Sequence, residues 1–192
     1  MKKFFLFCSV IALCACTHIK STYYVIDVPF TENMQTELKQ GKGPIFAILP
    51  IGIPSYLARP QLVLRESNAK IHIAENHRWG ESLDKAIGRV LANSLTDKLD
   101  SINGVVVPSR LGLHPDYSIQ LEISRFEGNI NASLEMVAFW TLQKNNKKIL
   151  QGNFYRKIQT GMGYSELVTA YGTILSLLAD DIANAIMQCN LK

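Results

Sequence analysis

Two stretches of the chain repeat their apolar residues at helical spacing, and much of the remainder alternates. Leu83, Ile87, Val90, Leu91, Ser94, Leu95 and Leu99 fall on one face at a period of 3.6, while Asp84, Lys85, Arg89, Asn93 and Asp97 fall elsewhere. A second helix is predicted over about 165–187, with Leu167, Tyr171, Ile174, Leu178, Ile182, Ala185 and Ile186 in one stripe and Ser165 as its N-cap. Strands are predicted at 22–28, rich in β-branched and aromatic residues, and at 44–51, whose continuous apolar run suits a strand covered on both faces. Residues 61–66 and 70–75 alternate around a short "SNA" and predict a hairpin. A short strand is expected at 105–107, ended by Pro108.

Three longer alternating segments follow, at 117–124, 133–142 and 148–158, and predict an antiparallel meander. Arg125 breaks the alternation before Phe126, as a bulge would. "KNNKK" at 144–148 is read as a solvated hairpin turn. Residues 32–43 are polar and end in Gly-Lys-Gly, which fits a loop or short helix. The expected fold is therefore α/β with α+β character: a single mixed sheet, including an antiparallel meander, packed by two long amphipathic helices. No repeat or linker divides it.

The amino terminus changes the picture. Lys2 and Lys3 precede an apolar run from Phe4 to Ala12, broken only by Ser9, in the order of an export signal. It is too short for a transmembrane helix, which needs about 20 apolar residues. The tetrad "LCAC" that follows, Leu13 to Cys16, is similar to a bacterial lipobox, with cleavage after Ala15 and Cys16 carrying the lipid. Residues 1–15 are thus expected to be a cleaved signal peptide, 16–21 a lipidated tether and 22–192 the domain. Each buried methylene contributes about 0.8 kcal/mol and two or more acyl chains anchor stably, so the domain is expected to lie on a membrane without crossing it. The competing reading is an ordinary signal peptide, with Cys16 and Cys189 paired in a disulfide.

Charge then narrows the partners. Loss of Lys2 and Lys3 takes the formal charge from +4 to +2, and no Lys or Arg run is placed to track phosphates, which argues against nucleic acid. No catalytic constellation stands out. His72 and His77 flank Glu75 without the spacing of a hydrolase or metal site, and a structural or surface role is favoured for both. His114-Pro115 is turn chemistry. "GMGYSE" (161–166) precedes a helix, as phosphate loops do, but lacks the third glycine of a dinucleotide fingerprint and the Lys-Ser or Lys-Thr of a P-loop. It is read as helix entry. No enzyme activity, metal or cofactor is expected, apart from the covalent lipid on Cys16.

The stretch 49–95 is more specific. Tyr56, Leu57, Arg59, Pro60, Gln61 and Val63, followed by Arg78, Trp79, Glu81 and Leu83 at a helix start, resemble the signature block of the ABC-type transport auxiliary lipoproteins, the PqiC-like family. "ISRFEG" (123–128), "VAFWTL" (137–142) and the final helix also fit. Ala58 stands where that family usually has Asp, Gly80 where Ala is common and Ser82 where Pro is common.

The resemblance implies a lipoprotein of the outer membrane that faces the periplasm. It would work with an MCE-domain protein and an inner-membrane component to move lipids or other apolar molecules between the membranes, and self-association is expected. Thr17 after the cysteine, in place of Asp, suits outer-membrane sorting. Tyr56, Arg59, Pro60, Arg78 and Trp79 are candidates for a partner or oligomer contact, because Tyr, Arg and Trp dominate interface energetics. The alternative for these positions is structural: Trp79 covers the core beneath the helix start and Arg59-Pro60 fixes a strand entry. Two other functions compete, a free-standing periplasmic lipid or small-molecule carrier and an envelope hydrolase using His77 and Glu75.

Overall fold

A computed structural model describes residues 20–27, 44–99, 104–106 and 115–188, with the backbone alone for 104–106. Its elements run β1 (Thr22–Tyr24), β2 (Phe46–Ile48), β3 (Gln61–Arg65), β4 (Ile71–Trp79), α1 (Leu83–Leu99), β5 (Gly104–Val106), β6 (Tyr117–Gly128), β7 (Ser133–Lys144), β8 (Lys147–Gln159) and α2 (Tyr164–Gln188). The described strands form one mixed eight-stranded sheet, and the expected mixed architecture with two helices is the one formed.

Strand β6 organises the sheet because both of its edges are used. One edge pairs antiparallel with β7, from Ser118↔Gln143 to Gly128↔Leu134. The other is shared: β2 pairs parallel with Tyr117–Ile119, a bridge joins Gly52 to Glu122, and β3 meets Gly128 through Leu64. β4 then pairs antiparallel with β3, and β1 adds in parallel beyond β4. On the far side β8 completes the meander by pairing with β7. The expected bulge is present, since the β6–β7 register shifts between Ile123 and Arg125. Asn145 and Asn146 have φ of 51° and 60°, the double positive φ of a type I′ hairpin turn.

Alternation sorts the two faces. Tyr117, Ile119, Leu121 and Ile123 of β6 are buried, as are Leu134, Met136, Ala138, Trp140 and Leu142 of β7. Helix α2 lies over this face: Tyr171 makes edge contact with Trp79, packs on Phe126 and donates its hydroxyl to the Phe126 carbonyl at 3.1 Å. α1 packs beside α2, and a Lys98–Asp180 ion pair joins them. The helix stripes are wider than a single row, because α2 must cover both the sheet and α1; Val168, Leu175, Ala179 and Ala183 are buried along with the expected positions other than Ala185, which is half-buried. The opposite sheet face carries Glu122, Ser124, Phe139 and Tyr155, all exposed.

Three expectations need correction. β1 and β2 are each three residues long, shorter than 22–28 and 44–51, although Phe46, Ala47 and Ile48 are all buried as a doubly covered strand requires. β4 continues to Trp79, so His77 lies inside a strand and not past its end; pairing with Thr22–Tyr24 extends it beyond the point where alternation stops. Ser165 is not the N-cap of α2. The helix begins at Tyr164, and its first bond runs from the Leu167 N–H to the carbonyl of Gly163, whose φ of 99° suits glycine. The expectations for 32–43, Pro108 and His114 lie outside the described residues.

Candidate functional site

A buried carboxylate lies at the centre of the signature region. Glu127 sits on the polar phase of β6, yet its side chain is 0% exposed. An isolated carboxylate could not stay ionised there, so its partners decide whether the site is stable. Arg65 of β3 donates through Nε at 2.9 Å and again through Nη2, and Arg125 approaches with Nε at 3.4 Å. The Tyr56 hydroxyl donates to Oε2 at 2.8 Å, and the Phe126 backbone N–H to the same oxygen at 3.1 Å. Glu135 accepts from Arg125 Nη1 at 2.9 Å and extends the network to β7. Two guanidinium groups thus face two carboxylates.

The network also sets the protonation of its neighbours. Burial, followed by the hydrogen bond and charge of Glu127, pushes the Tyr56 phenol up to about 12, so it stays a donor at any ordinary pH. Burial raises Tyr171 well above the usual phenol range, with the Glu127 charge adding to the effect. The hydrogen bond to Glu135 raises Arg125 further, which keeps it cationic.

The segment that brings Tyr56 here runs alongside β6. Gly52 donates to Leu121 and accepts from Ile123, and a turn at Pro54–Leu57 then lifts Tyr56 over Glu127. Arg59 donates to the Tyr56 carbonyl at 2.9 Å and so braces the same turn, with Ala58 exposed beside it. Pro60 accepts the Trp79 backbone N–H at 2.7 Å, and Gln61 pairs with Arg78 across β3 and β4. The fold therefore gathers Arg59, Pro60, Arg78 and Trp79 at the Gln61 end of the β3–β4 hairpin, while Tyr56 reaches from the adjoining turn to Glu127 and Arg65, the last residue of β3. They do not share an exposure. Trp79 is in the core, whereas Tyr56, Arg59 and Arg78 are half-buried and Pro60 is exposed. Glu81, also in the signature, holds Arg89 at 2.6 Å, and Arg89 reaches the Ile26 carbonyl at 2.8 Å.

His77 and Glu75 have separate partners. His77 shares a 2.8 Å hydrogen bond with the Tyr24 hydroxyl and stacks on Tyr164 with 3.5 Å between ring centroids, while Glu75 accepts from Gln61 at 3.2 Å. That arrangement holds β1, β4 and the start of α2 together. Among the described residues, no group of three or more His, Cys, Asp or Glu is placed to hold a metal ion, and no helix is long and apolar enough to cross a membrane. Cys16 and Cys189 lie outside the described residues.

Sequence reasoning missed Glu127, Arg65 and Arg125 as one network. The available signal was the phase break at Arg125, which places Arg125 and Glu127 on one side of β6 around Phe126.

No curated protein matches the chain. Among solved structures, an uncharacterized protein superposes with a TM-score of 0.70 at 21% identity, covering 87% of this chain and 99% of its own. Protein XCC0632 from Xanthomonas campestris superposes with a TM-score of 0.64 at 11% identity, covering 85% and 93%. At these identities the likeness is one of fold. The family described as the ABC-type transport auxiliary lipoprotein component matches residues 24–183, from the last residue of β1 through the signature region to most of α2. The chain belongs to that family of transport auxiliary lipoproteins.

Proposed function

We propose that this chain is a non-enzymatic adaptor, anchored through lipid on Cys16 to the periplasmic face of the outer membrane, in an ABC/MCE-type system that moves lipids or other apolar molecules between membranes. The observation that carries the reading is the family match over nearly the whole domain, behind a lipobox-like cysteine. The packing supports an adaptor over a free-standing carrier, because Trp140, Tyr171, Phe126 and Phe154 fill the layer between sheet and helices where a carrier needs room for cargo. The Gln61–Arg78 end of the β3–β4 hairpin, with the Pro54–Leu57 turn beside it, is the proposed contact with an MCE-domain partner or a second copy. There Arg59 and Arg78 supply charge and Tyr56 and Pro60 supply apolar surface, while Trp79 supports them from inside.

Replacement of the anchor tests this. Cys16→Ser leaves a folded domain that no longer sediments with membranes and no longer supports the transport phenotype in cells. Full function from the soluble periplasmic form would overturn the proposal.

A further inference from the structure

Strand β8 is the long free edge of the sheet. Its 13 residues pair with β7 along one side, and among the described residues no strand pairs with the other. Two hydrogen bonds beside the 129–132 turn fix which backbone groups look outward. The Asn129 N–H donates to the Ser133 carbonyl at 3.0 Å, and the Thr160 N–H to the Ala132 carbonyl at 3.2 Å. Bonded and unbonded pairs alternate in an antiparallel ladder, so Ser133 directs its backbone groups to β6 and Leu134 turns its own to Ile158. The register is unbroken from Ser133↔Gln159 to Leu142↔Leu150, and the same parity holds along it. The N–H and C=O groups of Gln151, Asn153, Tyr155, Lys157 and Gln159 therefore face the open side, about 27 Å of ladder with no strand on it. All of these residues are exposed. The Tyr155 carbonyl takes Nη1 of Arg156 at 2.8 Å, a side chain standing where a strand would donate.

Charge on this strand is of one sign. It carries Lys147, Lys148, Arg156 and Lys157 and no Asp or Glu. Among the described residues none of the four is in an ion pair, whereas Arg65, Arg89, Lys98 and Arg125 each hold a carboxylate. Lysine on an edge keeps other strands away, and here that protection is selective. A second β8 would bring four more cations against these, while an acidic segment meets them with the opposite sign. A lipid layer is a poor occupant, since hydrocarbon leaves the row of N–H and C=O groups without partners. Apolar surface flanks the edge as well. Tyr155 is 55% exposed on the sheet face turned from the helices, opposite Val137 and diagonal to Phe139, itself 38% exposed.

We propose that the open edge of β8 is a docking site for an acidic, extended segment of a second protein, which adds as a strand along Gln151 to Gln159. Backbone hydrogen bonds hold the segment, Arg156 and Lys157 select its carboxylates, and Tyr155 with Phe139 receives an apolar side chain on the outer face. β6 and β7 separate this edge from the β3–β4 hairpin, so the site is distinct from the contact proposed there. It holds whether or not Cys16 is acylated.

The test uses the full mature protein in detergent micelles. The probe is a pool of peptides of about nine residues, the length of the open ladder, that alternate Glu or Asp with Val, Ile, Thr or Tyr. A matched pool carries Lys in place of the acids. Fluorescence anisotropy reads binding, and hydrogen exchange with residue-level fragmentation reads the amides of β8. The acidic pool is expected to bind at least about tenfold more tightly than the basic one. It is also expected to slow exchange at Gln151, Asn153, Tyr155 and Lys157 at least about fivefold, while Gly152, Phe154 and Arg156, already bonded to β7, change little. Lys157→Glu should weaken acidic binding about tenfold. Asn153→Pro removes an outward N–H where an edge strand tolerates proline, and should abolish the protection with the fold intact by circular dichroism and thermal melting. Where that variant melts early, Lys157→Glu and an acidic pool N-methylated at alternate amides decide the matter, the methylated pool being expected not to bind. Equal binding of the acidic and basic pools, or acidic binding without alternating protection, overturns the proposal. So does protection of the same amides without peptide that rises with protein concentration, which puts a second copy on the edge. Protection by phosphatidylglycerol vesicles alone puts a membrane there and overturns it too.

Discussion

Glu127 shows how one residue can hold distant parts of the chain in register. Its oxygens take donors from Tyr56, Arg65 and Arg125, so the segment ahead of β3, β3 itself and the β6 bulge meet on a single side chain. The gain from such a buried pair over a packed apolar equivalent is small, because desolvation offsets much of the attraction. Breaking it is another matter. Arg65→Ala leaves Glu127 with one guanidinium at 3.4 Å, and this is expected to lower unfolding free energy by about 3–5 kcal/mol, measured by urea denaturation. The change at an exposed cation such as Lys157 should stay within about 0.5 kcal/mol. The sequence hides this site for a definite reason. By its place in the alternation Glu127 belongs to the solvent face of β6, and only the chain from Gly52 to Leu57, seventy residues away in sequence, turns that face into an interior.

Elements were legible where their information is local. Both helices declare themselves by a 3.6 period sustained over four turns or more, and the meander by alternation, an Asn-Asn turn and the phase break at Arg125. What alternation cannot show is which strand lies beside which. The parallel pairings of β1 with β4 and of β2 with β6 join segments more than fifty residues apart, and the first of them carries β4 to Trp79. Of the candidate contact residues, sequence offered Trp79 both as an outward contact and as a cover for the core; the core reading is the one formed, with Trp79 meeting Tyr171 of α2 edge-on at 5.1 Å. Close approach of elements also explains a glycine within α2. A Cβ on Gly172 would stand 2.5 Å from the Asp27 carbonyl oxygen. Gly172→Ala gains about 1 kcal/mol of helix propensity and pays roughly 1–3 kcal/mol for the displaced backbone. A net loss of about 1 kcal/mol is therefore expected in thermal or urea unfolding, where an exposed helix glycine would show a gain.

At the scale of the whole molecule, anchoring through Cys16 as proposed would make the chain between anchor and core transmit the position of one to the other, and residues 22–27 are tied into the core as that requires. Ile26 is fully buried, the Tyr24 carbonyl accepts the Gly80 N–H at 2.7 Å, and the Ile26 carbonyl accepts Arg89 at 2.8 Å. These six residues therefore touch the end of β4, helix α1 and, through Asp27, the glycine of α2. In the proposed reading, residues 16–21 ahead of them serve only as a lipidated tether. If it only spans the distance to the lipid, removing residues 1–21 should leave the unfolding midpoint unchanged. Removing residues 1–27 withdraws the Ile26 side chain, about 2–3 kcal/mol, and leaves the Gly80 N–H and the Arg89 guanidinium short of an acceptor, about 1 kcal/mol each. At roughly 2–4 °C per kcal/mol for a domain of this size, the melting temperature should fall by on the order of 10 °C. Equal midpoints for the two truncations would mean that β1 is a passive leader, and that the anchor swings freely from the domain instead of orienting it.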